Sequence, residues 1–541
     1  MVAVARWFDA IFLDLARQMR WSFLPPLMVY FAFGASGLTA IVGTFFVKEY
    51  LDVSAAFLAG LGFWAGLPWA LKMPLGHLVD LIWRWKGWLV WLGAALMACS
   101  FLIMYGLASR TPWMAEVMSM TAWYVLAVLL APCGYVIQDA VADAMSVEAV
   151  PEMDAEGTPL PQDALRVQHT TMQTLGRVAL ISGISIVAAV NIYLFDGVEA
   201  LAQAEKEAVY ARIYLLALVL PVISISGVVL AGIMARGRVR TLVRAGMDRA
   251  EAVAQVFHNP EQVKANHWYF TGGAAFVALT LAVGLSDVPF SQEIVFAGSM
   301  TVVLLLMRQL IKALDPAQAR VLAGTAIIIF VFRAMPGPGA GLTWFNIDVL
   351  EFDQQFLSVL SLLTGLLTLA GMIILRPLMA RRTIVYIIIL LTIAAGVLSL
   401  PNLGLYYGVH HWTAAMTGGV VDARFIAVLD TAIESPLGQV AMIPMLAWIA
   451  RNAPGHLKAT FFAVMASFTN LALSASQLAT RYINEVFVVT REVVDPATGL
   501  VTVPADYSQL GWLLISVASV TVVAPLIAIW MVQSSKLRTN E

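Results

Sequence analysis

Charge is what this 541-residue chain has least of. Only 12% of its residues are Asp, Glu, Lys or Arg while 60% are hydrophobic, against about 25% charged in an ordinary soluble domain. A soluble chain of this length has no interior large enough to hide so much apolar surface, which excludes a cytosolic enzyme. The net charge of −2 offers no basic face, so nucleic acid is excluded as a partner. Disordered and fibrous classes fail on the hydrophobicity. Cysteine is equally scarce: Cys99 and Cys133 both sit in apolar runs and define no disulfide framework. Metal-ligand spacing and a nucleophile–base pair near a span end are both lacking, and His410 and His411 stand adjacent with no spaced partners. No cofactor, metal or catalytic residue is expected. What remains is an all-α polytopic membrane protein.

A spanning helix needs about 20 mostly apolar residues. Fourteen stretches meet that need, near 21–47, 55–79, 88–108, 116–138, 169–194, 208–234, 268–286, 290–313, 320–345, 354–375, 383–400, 425–450, 457–480 and 509–532. The stretch 268–286 is short, and 320–345 carries Pro336 and Pro338. Placing the 32 Lys and Arg residues between spans sets the orientation. Seven fall on one side (Lys48, Arg110, Lys206, Arg212, Arg424, Arg481, Arg491), three within spans (Lys72, Arg177, Arg333) and the other 22 opposite. The richer side is the cytoplasmic one. Both termini are therefore predicted inside, in a multi-pass protein of a bacterial inner (plasma) membrane.

Residues 1–20 put Trp7, Phe8, Ile11, Phe12, Leu15 and Met19 on one helical face, with Arg6, Arg17 and Arg20 among them. That is the pattern of an amphipathic helix on the inner interface rather than a cleaved leader. Six spans follow (21–234), then a cytoplasmic basic linker (235–267) with Arg236, Arg238, Arg240, Arg244, Arg249 and Lys264. The linker reads as a positive-inside anchor or a lipid-binding patch. Two spans joined at the Ser286–Pro289 turn (268–314) and six more (315–541) complete the chain. The external insert 484–508 holds Asp495-Pro496-Ala497-Thr498-Gly499 between Val-rich flanks, which predicts a small β-hairpin.

Ionisable groups at membrane depth are costly and are functional candidates by default. Lys72 stands eight residues before Asp80, about 12 Å above the cytoplasmic edge, and Arg177 reaches a similar depth in the fifth span. Asp139 and Asp143, four apart, share one helical face at the inner end of the fourth span. These charges form either an ion-pair lock or a gate or substrate site. In a second set, Arg333 lies about 20 Å into its span, Asp430 and Glu434 are again four apart, and Gln439 and Pro444 follow. Arg333 can pair with one of these carboxylates, since a lone arginine at that depth costs from about 3 to more than 10 kcal/mol. Asn470 and Gln477, seven apart, suit helix–helix hydrogen bonding or ligand contact. The loop from Asp80 through Arg84 to Gly87 puts an acid before basic residues and resembles the gating loop of major facilitator transporters, which implies gating roles for Asp80 and Arg84.

Four stretches, in order, resemble the folate–biopterin transporter family of the major facilitator superfamily. They are Pro68-Trp69-x-x-Lys72-x-Pro74-Leu75-x-Gly76 leading to Asp80, Gln138-Asp139-Ala140-Val141-Ala142-Asp143-Ala144, and Ile329-Phe330-Val331-Phe332-Arg333-Ala334-Met335-Pro336 followed by Leu350-Glu351-Phe352. The fourth is Gly438-Gln439-Val440-Ala441-Met442-Ile443-Pro444, continuing through Pro454-Gly455-His456-Leu457-Lys458 to Ser467-Phe468-Thr469-Asn470. The chain departs from the family in its diluted basic run Trp83-Arg84-Trp85-Lys86, in the charge at Arg333, and in its extra helix pair.

The resemblance implies two pseudo-symmetric six-helix bundles, here with an inserted two-helix hairpin for 14 transmembrane helices. It also implies a secondary transporter of a pterin or folate, commonly proton-coupled. Lys72, Arg177, Arg333, Gln439 and Asn470 are then candidates for binding the solute, and Asp430 and Glu434 for carrying protons. Asp80, Arg84, Asp139 and Asp143 are candidates for gating. The expected partners are the small solute, protons and the lipid bilayer, around a monomer. Two other readings stay open: the same scaffold carrying another organic anion or a muropeptide-like solute, and a non-transporting membrane assembly factor.

Overall fold

The computed structural model describes residues 19–51, 53–150, 161–257, 267–284, 286, 288–311, 315–375, 378–379, 382–438, 440, 445, 458–494 and 501–539. The amphipathic helix expected over 1–20 lies almost wholly outside them. So do Gln439, Pro444 and most of the stretch 439–457.

The described chain is helical apart from one small hairpin. Its principal helices are α1 (Leu24–Gly34), α2 (Ala40–Tyr50), α3 (Ala55–Gly66), α4 (Lys72–Leu81), α5 (Gly87–Ala108), α6 (Met120–Ala149) and α7 (Gln162–Leu194). There follow α8 (Gln203–Ala217), α9 (Val219–Arg244), α10 (Arg249–Phe257), α11 (His267–Gly284), α12 (Ser291–Ile311), α13 (Pro316–Arg333) and α14 (Ala340–Asp348). The last are α15 (Gln354–Ile374), α16 (Ile384–Leu398), α17 (Leu400–Tyr406), α18 (Ala423–Glu434), α19 (Lys458–Val486) and α20 (Leu510–Gln533). Several begin where a polar residue precedes an apolar run and its side chain accepts an otherwise orphan amide. Ser54 accepts from Phe57, Ser119 from Ala122, Thr383 from Tyr386 and Asp422 from Phe425.

Among the described residues, ten helical runs are long and apolar enough to cross a membrane by length and composition. They coincide with ten of the fourteen expected stretches. The other four (55–79, 268–286, 425–450 and 457–480) are helical wherever they are described, or nearly so.

The helices form two compact units. Of the described residues, the first contains those up to Ala40, those within Pro74–Leu194 and those within Ala200–His267; the second contains those within Ile41–Met73, Phe195–Glu199 and those from Trp268 onward. The division cuts the first span between α1 and α2. Helices α2 and α3, which the sequence assigns to the first six spans, thus pack with the later ones.

In the first unit, α5 and α6 run together along their length. A Cβ on Gly93 would lie 2.6 Å from the carbonyl oxygen of Gly134, and one on Gly134 would lie 2.5 Å from that of Gly93. Only a pair of glycines permits this backbone-to-backbone approach. Two bonds cross the same contact: Ser100 Oγ donates to the Ala127 carbonyl at 2.7 Å and Gln138 Nε2 to the Val90 carbonyl at 3.2 Å. Val79, Val90, Ala140, Val141 and Met145 fill the core beside them.

In the second unit, α3 and α12 pack on α19, while α13 and α16 pack on α20. The stretch expected at 320–345 is two helices with a break. Helix α13 stops at Arg333, and α14 restarts at Ala340 after Pro336, Pro338 and Gly339. Prolines remove donors and free carbonyls, and in an apolar medium the freed groups need partners from the protein. Helix α19 supplies them from residues spaced by four. Ser476 Oγ donates to the Met335 carbonyl at 2.6 Å, Thr480 Oγ1 accepts from the Gly337 amide at 2.9 Å, and Asn484 Nδ2 donates to the Pro338 carbonyl at 3.4 Å. Gly339 has φ +70°, and a Cβ there would meet Asn484 Nδ2 at 2.8 Å. Both facts demand glycine.

The expected hairpin is present: β1 (Val493–Val494) pairs antiparallel with β2 (Val501–Val503), and a bridge joins Thr490 to Asp506. Helix α19 continues to Val486, so the insert starts after that residue rather than at 484. Its tip, 495–500, lies outside the described residues.

Candidate functional site

The polar groups of the second unit gather along one turn of α19. Arg333, the last residue of α13, donates Nε to the Thr469 carbonyl at 3.2 Å. The next residue, Asn470, donates Nδ2 to the Trp69 carbonyl at 3.3 Å. Three residues after Trp69, Lys72 opens α4 and is half-buried. Two expected solute-binding cations thus flank the turn that carries a third candidate, Asn470. Nearby, Phe330 and Phe468 pack with ring centroids 5.0 Å apart. Gln477 lies against α3, where a Cβ on Gly62 would meet its Oε1 at 2.9 Å.

The expected proton carriers are both on α18, also in the second unit. Asp430 is half-buried; its Oδ2 accepts from Asn402 Nδ2 of α17 at 3.2 Å, while Oδ1 is buried with no hydrogen-bond partner among the described residues. Glu434 ends the helix and is exposed. Asp430 therefore has a built environment that Glu434 lacks. The arginine contact found for Arg333 is a main-chain carbonyl of α19, not a carboxylate of α18.

In the first unit, Asp139 and Asp143 lie half-buried on α6, and Tyr30 of α1 donates its hydroxyl to Asp143 Oδ1 at 2.7 Å. Arg177 is half-buried on α7. Asp80 is half-buried near the end of α4. Arg84 is exposed, with its guanidinium 5.5 Å from the Trp85 ring centroid. The structured basic residue of that loop is Lys86: it is buried, 2.7 Å from Glu148 Oε2, and its Nζ lies 3.8 Å from the Trp83 ring centroid. Neither Lys86 nor Glu148 stands out by spacing.

A further polar cluster surrounds the Tyr50 end of α2. Lys48 pairs with Asp348 of α14 at 2.5 Å, and Tyr507 donates to the same carboxyl group at 2.5 Å. Burial and the Asp348 carboxylate push the Tyr507 phenol well above its ordinary pKa, so it remains a donor at any physiological pH. Arg491, from the insert, is only 4% exposed. Helix α12 is anchored too. Gln292 donates to the Gly60 carbonyl of α3 at 3.3 Å, and Arg481 of α19 donates to Gln292 Oε1 at 3.1 Å.

Residues 34–540 match the sequence profile of the BT1 family. A folate-biopterin transporter from Synechocystis sp. (strain ATCC 27184 / PCC 6803 / Kazusa) is 28% identical over 146 residues, which are 27% of this chain and 28% of that protein. The match thus spans little more than a quarter of the relative's length. Among solved structures, a POT family transporter in complex with 5-aminolevulinic acid aligns with TM-score 0.57 and 12% identity, covering 95% of this chain and 96% of that one. A peptide transporter POT in complex with sulfate aligns with TM-score 0.53 and 12% identity over 96% of each chain. At such identities the likeness speaks for the fold: the major facilitator architecture.

Proposed function

Since the chain belongs to the BT1 family, we propose that it is a secondary transporter that moves a pterin- or folate-like solute by alternating access, coupled to protons. The observation that carries this reading is the turn of α19 at Thr469 and Asn470, flanked by Arg333 and by the Trp69–Lys72 segment. A pterin edge offers amide-like donors and acceptors that Asn470 and Gln439 can read. A folate tail adds carboxylates, for which Lys72 and Arg333 of the second unit are counter-ions, while Arg177 of the first unit is a separate candidate. The broken span at 334–339 is the kind of discontinuity that transporters use where helices must bend around a site.

Asp430 is the better proton carrier of the two acids on α18, with Glu434 as its neighbour. Oδ2 is held by Asn402 while the buried Oδ1 has no hydrogen-bond partner among the described residues, so a proton can be taken up there without breaking the existing bond. Asp80, Arg84, Asp139 and Asp143 act as the inner gate, with Tyr30 holding Asp143. The excess of basic residues on one side supports a cytoplasmic position for both termini, and the proposed working unit is a monomer.

The test is uptake of radiolabelled folate and biopterin into proteoliposomes of purified protein, with and without an inward proton gradient. Saturable uptake of either compound, stimulated by the gradient, is the expected result. No uptake of either, with flux of another organic anion, transfers the same scaffold to a different cargo.

A further inference from the structure

The insert 487–508 has no part in the transport scheme above, yet it places one of the most deeply buried charges of the second unit. Arg491 directs Nη2 to the Val47 carbonyl at 3.1 Å and to the Leu51 carbonyl, and Nη1 to the Lys48 carbonyl. These carbonyls lie at and just beyond the C-terminal end of α2, the negative end of its dipole; those of Val47 and Leu51 also accept the Leu51 and Val53 amides. The guanidinium also lies 5.6 Å from the Trp344 ring centroid of α14. Lys48, on the same turn, pairs with Asp348 at the end of α14. Helix α14 in turn follows the proline–glycine break held by Ser476, Thr480 and Asn484. The insert, the end of the first span and the short helix beyond the break are thus fastened at one point.

From this geometry we infer that Arg491 is a positioning residue of the transport cycle, a removable cap that holds the external end of the first span to α14 and must withdraw before that end can move. The inference rests on the alternating-access reading and not on the identity of the solute. A buried guanidinium is tolerated because carbonyls and an aromatic face surround it. Moving α2 away breaks the bonds from Arg491 to the Val47, Lys48 and Leu51 carbonyls and uncovers the helix end, which couples the two movements. The strands and the Thr490–Asp506 bridge fix the base of the insert. Its position therefore sets how readily the external end opens.

The test uses full-length protein with Cys99→Ser and Cys133→Ser and a single reporter, Val47→Cys, which replaces a residue 4% exposed. Cells expressing it are labelled with a membrane-impermeant maleimide. Arg491→Ala is expected to raise the labelling rate about tenfold by shifting the population of open states, with Arg491→Lys in between. Asp348→Asn, which leaves Arg491 intact, is expected to raise it too. Thermal melting of each purified variant shows that the protein remains folded. Equal labelling in the parent and both Arg491 variants, or labelling only from the cytoplasmic face, overturns the inference. Failure to transport folate or biopterin leaves the labelling result readable, so the two readings fail separately.

Discussion

Asn402 donates its side-chain amide to Oδ2 of Asp430 across 3.2 Å, joining α17 to α18, while the second oxygen of that carboxyl group has no partner among the described residues. If Asp430 carries the coupled proton, Asp430→Asn should abolish stimulation of uptake by a pH gradient while counterflow of solute persists. Glu434→Gln, altering an exposed group, should retain most of the stimulation. Measuring initial uptake rates at several external pH values separates the two; unchanged gradient dependence in Asp430→Asn removes that residue from the role.

The two cations beside α19 make a charge-specific prediction. Replacing Arg333 or Lys72 by Gln should raise KM for folate about tenfold, the scale of one lost charge-assisted contact. The same changes should raise it much less for biopterin, which lacks the anionic tail. Equal effects on both solutes would assign Arg333 to a structural role, holding α13 to the Thr469 carbonyl of α19.

Gly339→Ala must accommodate a methyl group 2.8 Å from Asn484 Nδ2 at φ +70°. Together, clash and backbone strain should cost about 1–3 kcal/mol. Asn484→Ala, losing the hydrogen bond to the Pro338 carbonyl, should cost about 0.6–1.7 kcal/mol. In the double variant the contact disappears while the φ strain stays, so the loss should be smaller than the sum. Chemical denaturation in detergent micelles provides the comparison.

His410 sits with its ring centroid 4.0 Å from that of His411. Burial first, and then the neighbouring imidazole, lower its pKa below the ordinary 6.5. The unfolded chain therefore binds a proton that the folded one refuses. Stability attached to this site is complete above pH 6.5, declines as the pH falls below it, and levels off beneath the lowered folded value. The ring is partly solvated, so the effect should be only a few tenths of a kcal/mol. Comparing Tm between pH 7.5 and pH 5 for the parent and His410→Asn isolates it: the variant should lose the smaller amount.

Much of this architecture is legible in the sequence because charge is so rare in it. Lys72, Arg333, Asp139, Asp143 and Asp430 stand out in apolar runs, and each lies on the helix its stretch predicted. The polar row Ser476, Thr480 and Asn484 does not stand out, since uncharged side chains are ordinary in a long helix. Its signal is relational: a spacing of four on one helix opposite Pro336, Pro338 and Gly339 on another, and only packing brings the two together. Arg491 is likewise hidden. In the sequence it is one of the seven basic residues on the less basic side; its burial depends on a helix end more than 400 residues earlier.

The glycine pair of α5 and α6 bears on where movement can occur. Two helices whose main chains touch at Gly93 and Gly134, with hydrogen bonds on either side at Ser100 and Gln138, have no cushion of side chains to deform. They behave as one stiff beam, and elastic compliance must reside elsewhere. The break at 334–339, spanned by three polar side chains, is the softer element. A methyl group at Gly93 would therefore act mechanically, by prising the beam apart, before it touched any group that meets the solute.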